Sequence, residues 1–156
     1  MRVYRLSRKK YANKLSGIGA SRSGNRLNSK GTKIIYCANS RALAMAEVSV
    51  HISLTTLPLD FVMMEICIPD FIKIQSIDEN NLFDRWNDFP HNYRTQKIGD
   101  NFIKENKYCI LKVPSAVVKG DFNYLLNPHH VNFKKVEIIN FYKFPFDKRF
   151  FFNTDQ

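Results

Sequence analysis

The first 46 residues of this 156-residue chain contain no aspartate or glutamate. No apolar run is long enough to span a bilayer, because the longest, Phe61 to Ile68, is interrupted by Glu65. The N-terminus lacks the apolar core of a secretory signal. No membrane association is expected, and a cytoplasmic location is. Cysteine is scarce: Cys37, Cys67 and Cys109 are odd in number, widely spaced and set in apolar runs. A disulfide framework or zinc site needs closely spaced pairs, so buried reduced thiols are expected. His129 and His130 are adjacent and would face opposite ways on a strand, while His51 and His91 have no evident ligand companions. No metal is expected. There is no internal repeat and no linker, so one domain is expected over residues 1–156.

What is present is an ordinary globular composition with one bias. Hydrophobic residues make up 44% and charged residues 24%, which argues against disorder, and 13 phenylalanines point to an aromatic-rich core. The net charge is +10. The basic residues cluster early: Arg2, Arg5, Arg8, Lys9, Lys10, Lys14, Arg22, Arg26, Lys30, Lys33 and Arg41 all precede the first acid, Glu47. Such a pole attracts polyanions, phosphorylated small molecules or an acidic partner. A transit peptide is disfavoured because Gly17, Gly19 and Gly24-Asn25 break any long amphipathic helix. A nucleic-acid arm lacks an accompanying helix-turn-helix, zinc-finger or RNP-like pattern. A phosphate-binding lobe and a plain solvated basic face remain.

The pattern reads as α+β. Strands are expected at Val3–Leu6, Lys33–Ala38, Asp60–Ile68, Lys107–Val113 and Lys134–Tyr142, with an edge pairing at Arg149–Phe152, while Asn123–Asn127 reads as a short segment and turn ending at Pro128. Lys9–Lys14 reads as a helical turn and residues 16–31 as a long loop, a length that tends to carry function. Ser40 is an N-cap for a helix from Arg41 to about Ile52, closed at Leu57-Pro58. Residues 70–105 are mixed, with a helical segment near Phe83–Trp86.

On the Arg41 helix, Leu43, Ala46, Glu47 and Val50 follow the i, i+3, i+4, i+7 rule, which places Glu47 within the apolar stripe. A carboxylate there is costly without a partner or a task. On its own it would more often pair with an internal arginine. Its company shifts that reading. Tyr36 lies eleven positions earlier on the strand feeding the helix, and Arg26 ten before that on the Gly/Asn-rich loop. Strand, tight connection and helix bring ring and carboxylate to the same end of a sheet. A second group is Val113-Pro114-Ser115-Ala116-Val117-Val118, a strand that runs into proline and then presents a hydroxyl. A lone serine in this position is usually an ST-turn or helix cap. No Gly-x-Ser-x-Gly elbow surrounds it, so a triad nucleophile is not expected.

Taken in order, these pieces resemble the RES domain family, toxins of bacterial toxin–antitoxin modules. The resemblance runs from Val3-Tyr4-Arg5-Leu6 through Gly24-Asn25-Arg26-Leu27-Asn28, Ile35-Tyr36-Cys37-Ala38, Leu43-Ala44-Met45-Ala46-Glu47, Gln96-x-x-Gly99-Asp100, Val113–Val118 and Asn123-x-x-Leu126-Asn127-Pro128 to Pro145-Phe146-Asp147-x-Arg149. Asn25 and Leu27 stand where the family has glycine and tryptophan.

The resemblance implies a single-domain α+β fold like that of ADP-ribosyltransferases, a split β-core with flanking helices. It implies cleavage of the nicotinamide–ribose bond of NAD+, through an oxocarbenium-like state. Glu47, Arg26 and Tyr36 would be catalytic. Arg26, Tyr36, Ser115, Asn127 and Arg5 would bind NAD+, which is substrate. No Glu-x-Glu or Gln-x-Glu accompanies Glu47, which favours hydrolysis or phosphorolysis over protein ADP-ribosylation. A non-enzymatic or RNA-directed basic module is the third alternative. The implied partner is an Xre-type helix-turn-helix antitoxin that blocks the site, lands on the basic pole and makes any DNA contact itself.

Overall fold

A computed structural model describes residues 1–52, 58–147 and 149. Seven strands make one mixed sheet: β1 (Arg2–Arg8), β2 (Ile35–Ala38), β3 (Phe61–Cys67), β4 (Ile74–Ser76), β5 (Ile110–Pro114), β6 (Phe122–Leu126) and β7 (Glu137–Lys143). Their order is β4-β5-β6-β2-β1-β3-β7, and only the β4–β5 pairing is parallel. The helices are α1 (Ile18–Ser23), α2 (Arg41–Ser49) and α3 (Tyr93–Glu105). This is the α+β architecture expected. β1 and β2 share the single register pair Tyr4–Ala38, so the sheet nearly divides there.

Side-chain alternation along the strands sorts the core into two faces. On one, Val3, Ile35, Cys37, Met64, Ile66, Ile110 and Leu126 pack under loops and 3-10 turns. On the other, Leu6, Ala38 and Met63 receive Leu43 and Ala44 of α2, while Tyr36, Leu111, Val113 and Leu125 receive Phe102 of α3. β3 is buried along nearly its whole length because β1 and β7 flank it and both faces are covered, which explains its near-continuous apolar run. Its one charged residue, Glu65, is ion-paired with Arg41.

Several boundaries differ from the sequence reading. α2 stops at Ser49 rather than near Ile52. The 16–31 loop contains α1, and the strand expected from Lys134 begins at Glu137, after a 3-10 turn over Val131–Lys135. The larger difference lies in residues 70–105. Phe83–Trp86 forms turns, and the helix is α3. Asn92 caps it by accepting from the Arg94 amide at 2.9 Å, and Asn106 ends it in a left-handed conformation at φ 50°. The edge pairing expected at Arg149–Phe152, beyond Arg149 itself, and the stop at Leu57 fall outside the described residues. No helix of the described residues is long and apolar enough to cross a membrane.

Candidate active site

Ser40 starts α2 as the sequence implies, its hydroxyl accepting from the Leu43 amide at 3.1 Å. Leu43 and Ala44 are then drawn onto the sheet. One turn later Glu47 emerges half-buried, over the junction of β2, β6 and the end of β5. Its Oε1 accepts two hydrogen bonds, from the Ser115 hydroxyl at 2.7 Å and from the Asn123 amide at 2.5 Å. Among the described residues Oε2 has no partner. The sequence left open an ion pair with an internal arginine. That pairing is absent among the described residues: both donors are neutral, so no cation is paired with the carboxylate.

Ser115 sits where Pro114 ends β5. Its oxygen accepts from the Val117 and Val118 amides at 3.1 and 3.0 Å, the ST-turn that a serine after a strand makes. That turn leaves the hydroxyl proton one direction, toward Glu47. Asn123 stands opposite Ala38 on one side and Val113 on the other, at the same end of the sheet.

Tyr36 lies two residues before Ala38 and points to the same face. Its hydroxyl donates to Asn28 Oδ1 at 2.7 Å and accepts from the Leu27 amide at 3.2 Å. Burial pushes its pKa well above the usual phenol value. The ring therefore props the loop that carries Arg26. Arg26 donates through Nη1 to the carbonyls of Trp86 at 3.1 Å and Asp88 at 2.8 Å. Its Nε and Nη2, one whole side of the fork, have no acceptor among the described residues. Burial pulls its pKa down, opposed by the charge of Glu47 and then by Asp88 and Tyr36. Arg26, Tyr36 and Glu47 thus share one electrostatic neighbourhood, with no ion pair closing the gap between Arg26 and Glu47.

The loop is fastened from α3. Gln96 donates to the Asn25 carbonyl at 3.1 Å, and Asp100 accepts from the Ser29 amide at 3.0 Å and its hydroxyl at 2.7 Å. Gly99 lies between them because a Cβ there would meet the Leu27 carbonyl oxygen at 1.7 Å. Asn28, fully buried, donates to the carbonyls of Ala20, Ser29 and Thr32. The Gln96-x-x-Gly99-Asp100 spacing is therefore a clamp on the arginine loop.

Two expected residues lie apart. Asn127 directly follows β6, four residues from Asn123, roughly 13 Å at the rise of a strand. It holds Asn106 at 2.9 Å and the Cys109 carbonyl, which fixes the far end of the sheet. Arg5 alternates with Tyr4 and Leu6, so it emerges on the opposite face, and it donates to the Tyr36 carbonyl at 2.7 Å. Burial lowers its pKa. Two surface concavities, of about 440 and 420 Å³, are not lined by Glu47. The first lies along β3 and β7. The second includes Asp88, one of the residues that hold Arg26. No group of three His, Cys, Asp or Glu side chains is arranged for a metal among the described residues.

The ordered motifs match the RES domain over residues 2–147. The chain belongs to the RES domain family. Among similar proteins is the "Prs ADP-ribosylating toxin" of Sphingobium sp. (strain YBL2), 34% identical over 88% of this chain and 87% of that one. "Toxin Res" of Photorhabdus laumondii is 36% identical over 86% of each chain. "Toxin Res" of Yersinia enterocolitica is 33% identical over 96% of this chain and 99% of that one. The fold resembles a chain of the M. tuberculosis MbcT–MbcA toxin–antitoxin complex, with a TM-score of 0.69 at 17% identity over 92% of this chain and 84% of that one.

Within the candidate site, sequence reasoning missed Asn123 and the clamp from α3. Asn123 stood inside the Asn123-x-x-Leu126-Asn127-Pro128 motif, a segment that reads as a turn ending at proline, whereas it belongs to β6. Its signal was its place at the start of a strand, opposite the residue that leads into α2.

Proposed function

We propose that this protein is the toxin of a type II toxin–antitoxin pair and that it cleaves the nicotinamide–ribose bond of NAD+. The observation that carries this reading is Glu47, fixed through one oxygen by two neutral donors with the other oxygen open. Breaking the glycosidic bond leaves positive charge on the ribose, and a fixed, half-buried carboxylate beside it stabilises that charge without reorganising. Arg26, anchored through Nη1, offers its Nε/Nη2 edge to the diphosphate, a bidentate fit that an ammonium cannot give. The Tyr36 ring supplies a flat wall for the nicotinamide and keeps the arginine loop in place. In this reading Ser115 and Asn123 orient Glu47, and the serine hydroxyl is not spent on the sugar. Arg5 and Asn127 act as support from outside the site. NAD+ is substrate, and no metal takes part.

Hydrolysis or phosphorolysis needs only water or phosphate on the open face of the ribose, which makes free NAD+ consumption the first reading. The name of the Sphingobium relative favours a second, transfer of ADP-ribose to a protein. The partner in either case is an antitoxin of the Xre helix-turn-helix type that occludes the site and makes the DNA contacts. Its acidic segments suit the basic surface of Lys9, Lys10, Lys14, Arg22, Lys30 and Lys33, all exposed. Incubation of the purified toxin with labelled NAD+ in phosphate and phosphate-free buffer separates the outcomes. Free nicotinamide with ADP-ribose or its 1″-phosphate supports depletion, and label retained on protein supports transfer. Intact NAD+ in both buffers would contradict enzymatic function.

A further inference from the structure

The second concavity lies behind Arg26, and the two are one hydrogen-bonded unit. Asp88, one of its lining residues, receives Arg26 Nη1 on its carbonyl at 2.8 Å. Its His91 approaches Gln96 at 3.3 Å, and Gln96 in turn holds the Asn25 carbonyl beside Arg26. Asp88 and the His91–Gln96–Asn25 chain thus join the hollow to the loop that carries Arg26.

The lining decides what kind of group fits. The guanidinium carbon of Arg94 lies over the Phe83 ring, 4.2 Å from its centroid. It has no hydrogen-bond or carboxylate partner among the described residues, so its outer face is an open planar platform. Arg85 and Asp88 neutralise each other through a 2.6 Å pair, and Asp84 offsets the charge of Arg94. A wall whose charges cancel has no preference for a bare phosphate. It offers donors and acceptors side by side around a stacking surface, which suits a neutral, flat, polar heterocycle. At about 420 Å³ it is large enough for a nucleoside.

We infer that this concavity is the subsite for the adenosine half of NAD+, with the base stacked on Arg94 and Phe83 beneath it. The inference rests on the NAD+ reading above and adds to it the position of the half of the substrate that does not react. It predicts that binding energy from adenosine is used to hold the diphosphate on Arg26.

The test is the preference for NAD+ over nicotinamide mononucleotide, which lacks adenosine, measured as a ratio of kcat/KM in wild type and in Arg94→Ala and Phe83→Ala. AMP serves as a competitor of NAD+ cleavage in the same proteins. Loss of one stacking partner should lower the NAD+ to mononucleotide ratio about tenfold and weaken AMP competition by a similar factor. An unchanged ratio, or a fall in both substrates alike, would overturn the subsite while leaving NAD+ cleavage standing. If no variant and no wild-type protein cleaves either nucleotide, the NAD+ reading fails first, and direct titration of wild type with AMP then decides the subsite alone. Binding that Arg94→Ala abolishes supports it, and no binding rejects it.

Discussion

Glu65 and Glu47 lie on the same face of the sheet, and their partners differ in kind. Glu65, 7% exposed in the middle of β3, is gripped by Arg41. That arginine also donates to the Tyr142 hydroxyl at 2.6 Å, and its guanidinium carbon lies 4.5 Å from the centroid of the Tyr4 ring. Glu65 and then Tyr142 hold the Arg41 proton more tightly than usual. Every element of that cluster is satisfied, and it ties the start of α2 to β1, β3 and β7. Glu47, two turns further along α2, is held by an alcohol and an amide. A guanidinium cancels a carboxylate; neutral donors aim it without cancelling it. The first arrangement serves the fold, and the second leaves a charge for a ligand to answer.

The comparison predicts that damage to the two regions will separate into lost turnover and lost stability. The largest effect short of removing Glu47 itself is expected at Arg26. Arg26→Lys should lower kcat/KM for NAD+ about 10²-fold, close to Arg26→Ala, because the lysine loses both the carbonyl anchor and the open fork. A lysine variant within a few-fold of wild type would show that charge alone suffices. Next, Glu65→Ala should cost about 2 kcal/mol in urea unfolding. The figure is kept below that of a fully buried pair because the Arg41 side chain is 47% exposed. Turnover per folded molecule should change little. A stable but inactive Glu65→Ala protein would erase the distinction between the two glutamates.

The fold was legible wherever apolar density was high. Phe61–Cys67 and the Ser40-capped helix announced themselves, since burial on both faces or on one stripe leaves a pattern in a single sequence. α3 did not, because it buries only Thr95, Gly99 and Phe102 and carries a mid-helix glycine, which lowers its apparent propensity. That glycine is required by the approach of Leu27, a contact with no local trace. In the site, the Arg26–Tyr36–Glu47 grouping was legible because one strand–helix unit carries two of its members. Asn123 and the Trp86 and Asp88 carbonyls were not, since they arrive from 76, 60 and 62 residues away. Backbone acceptors have no identity in a sequence.

The smallest effect near neutrality concerns the opposite face. Burial pushes the Cys37 thiol up from 9 to about 12 and that of Cys109 to about 11. A raised folded pKa means the unfolded chain ionises first. The stability these thiols lend is therefore intact below pH 9 and lost as pH climbs through the folded values. The urea midpoint should be flat below pH 9 and fall above it, and more shallowly in Cys37→Ala. An equally steep fall in that variant would contradict the assignment.

The central claim is that a carboxylate aimed by neutral donors drives the cleavage. Its most direct test is nicotinamide release from NAD+ by Glu47→Gln beside wild type, with the thermal midpoint of each protein recorded. The amide keeps the shape and the acceptor oxygen for Ser115 and Asn123 but removes the charge. Release should fall by at least about 10³-fold with the midpoint nearly unchanged. A folded Glu47→Gln protein that releases nicotinamide at the wild-type rate would contradict the account.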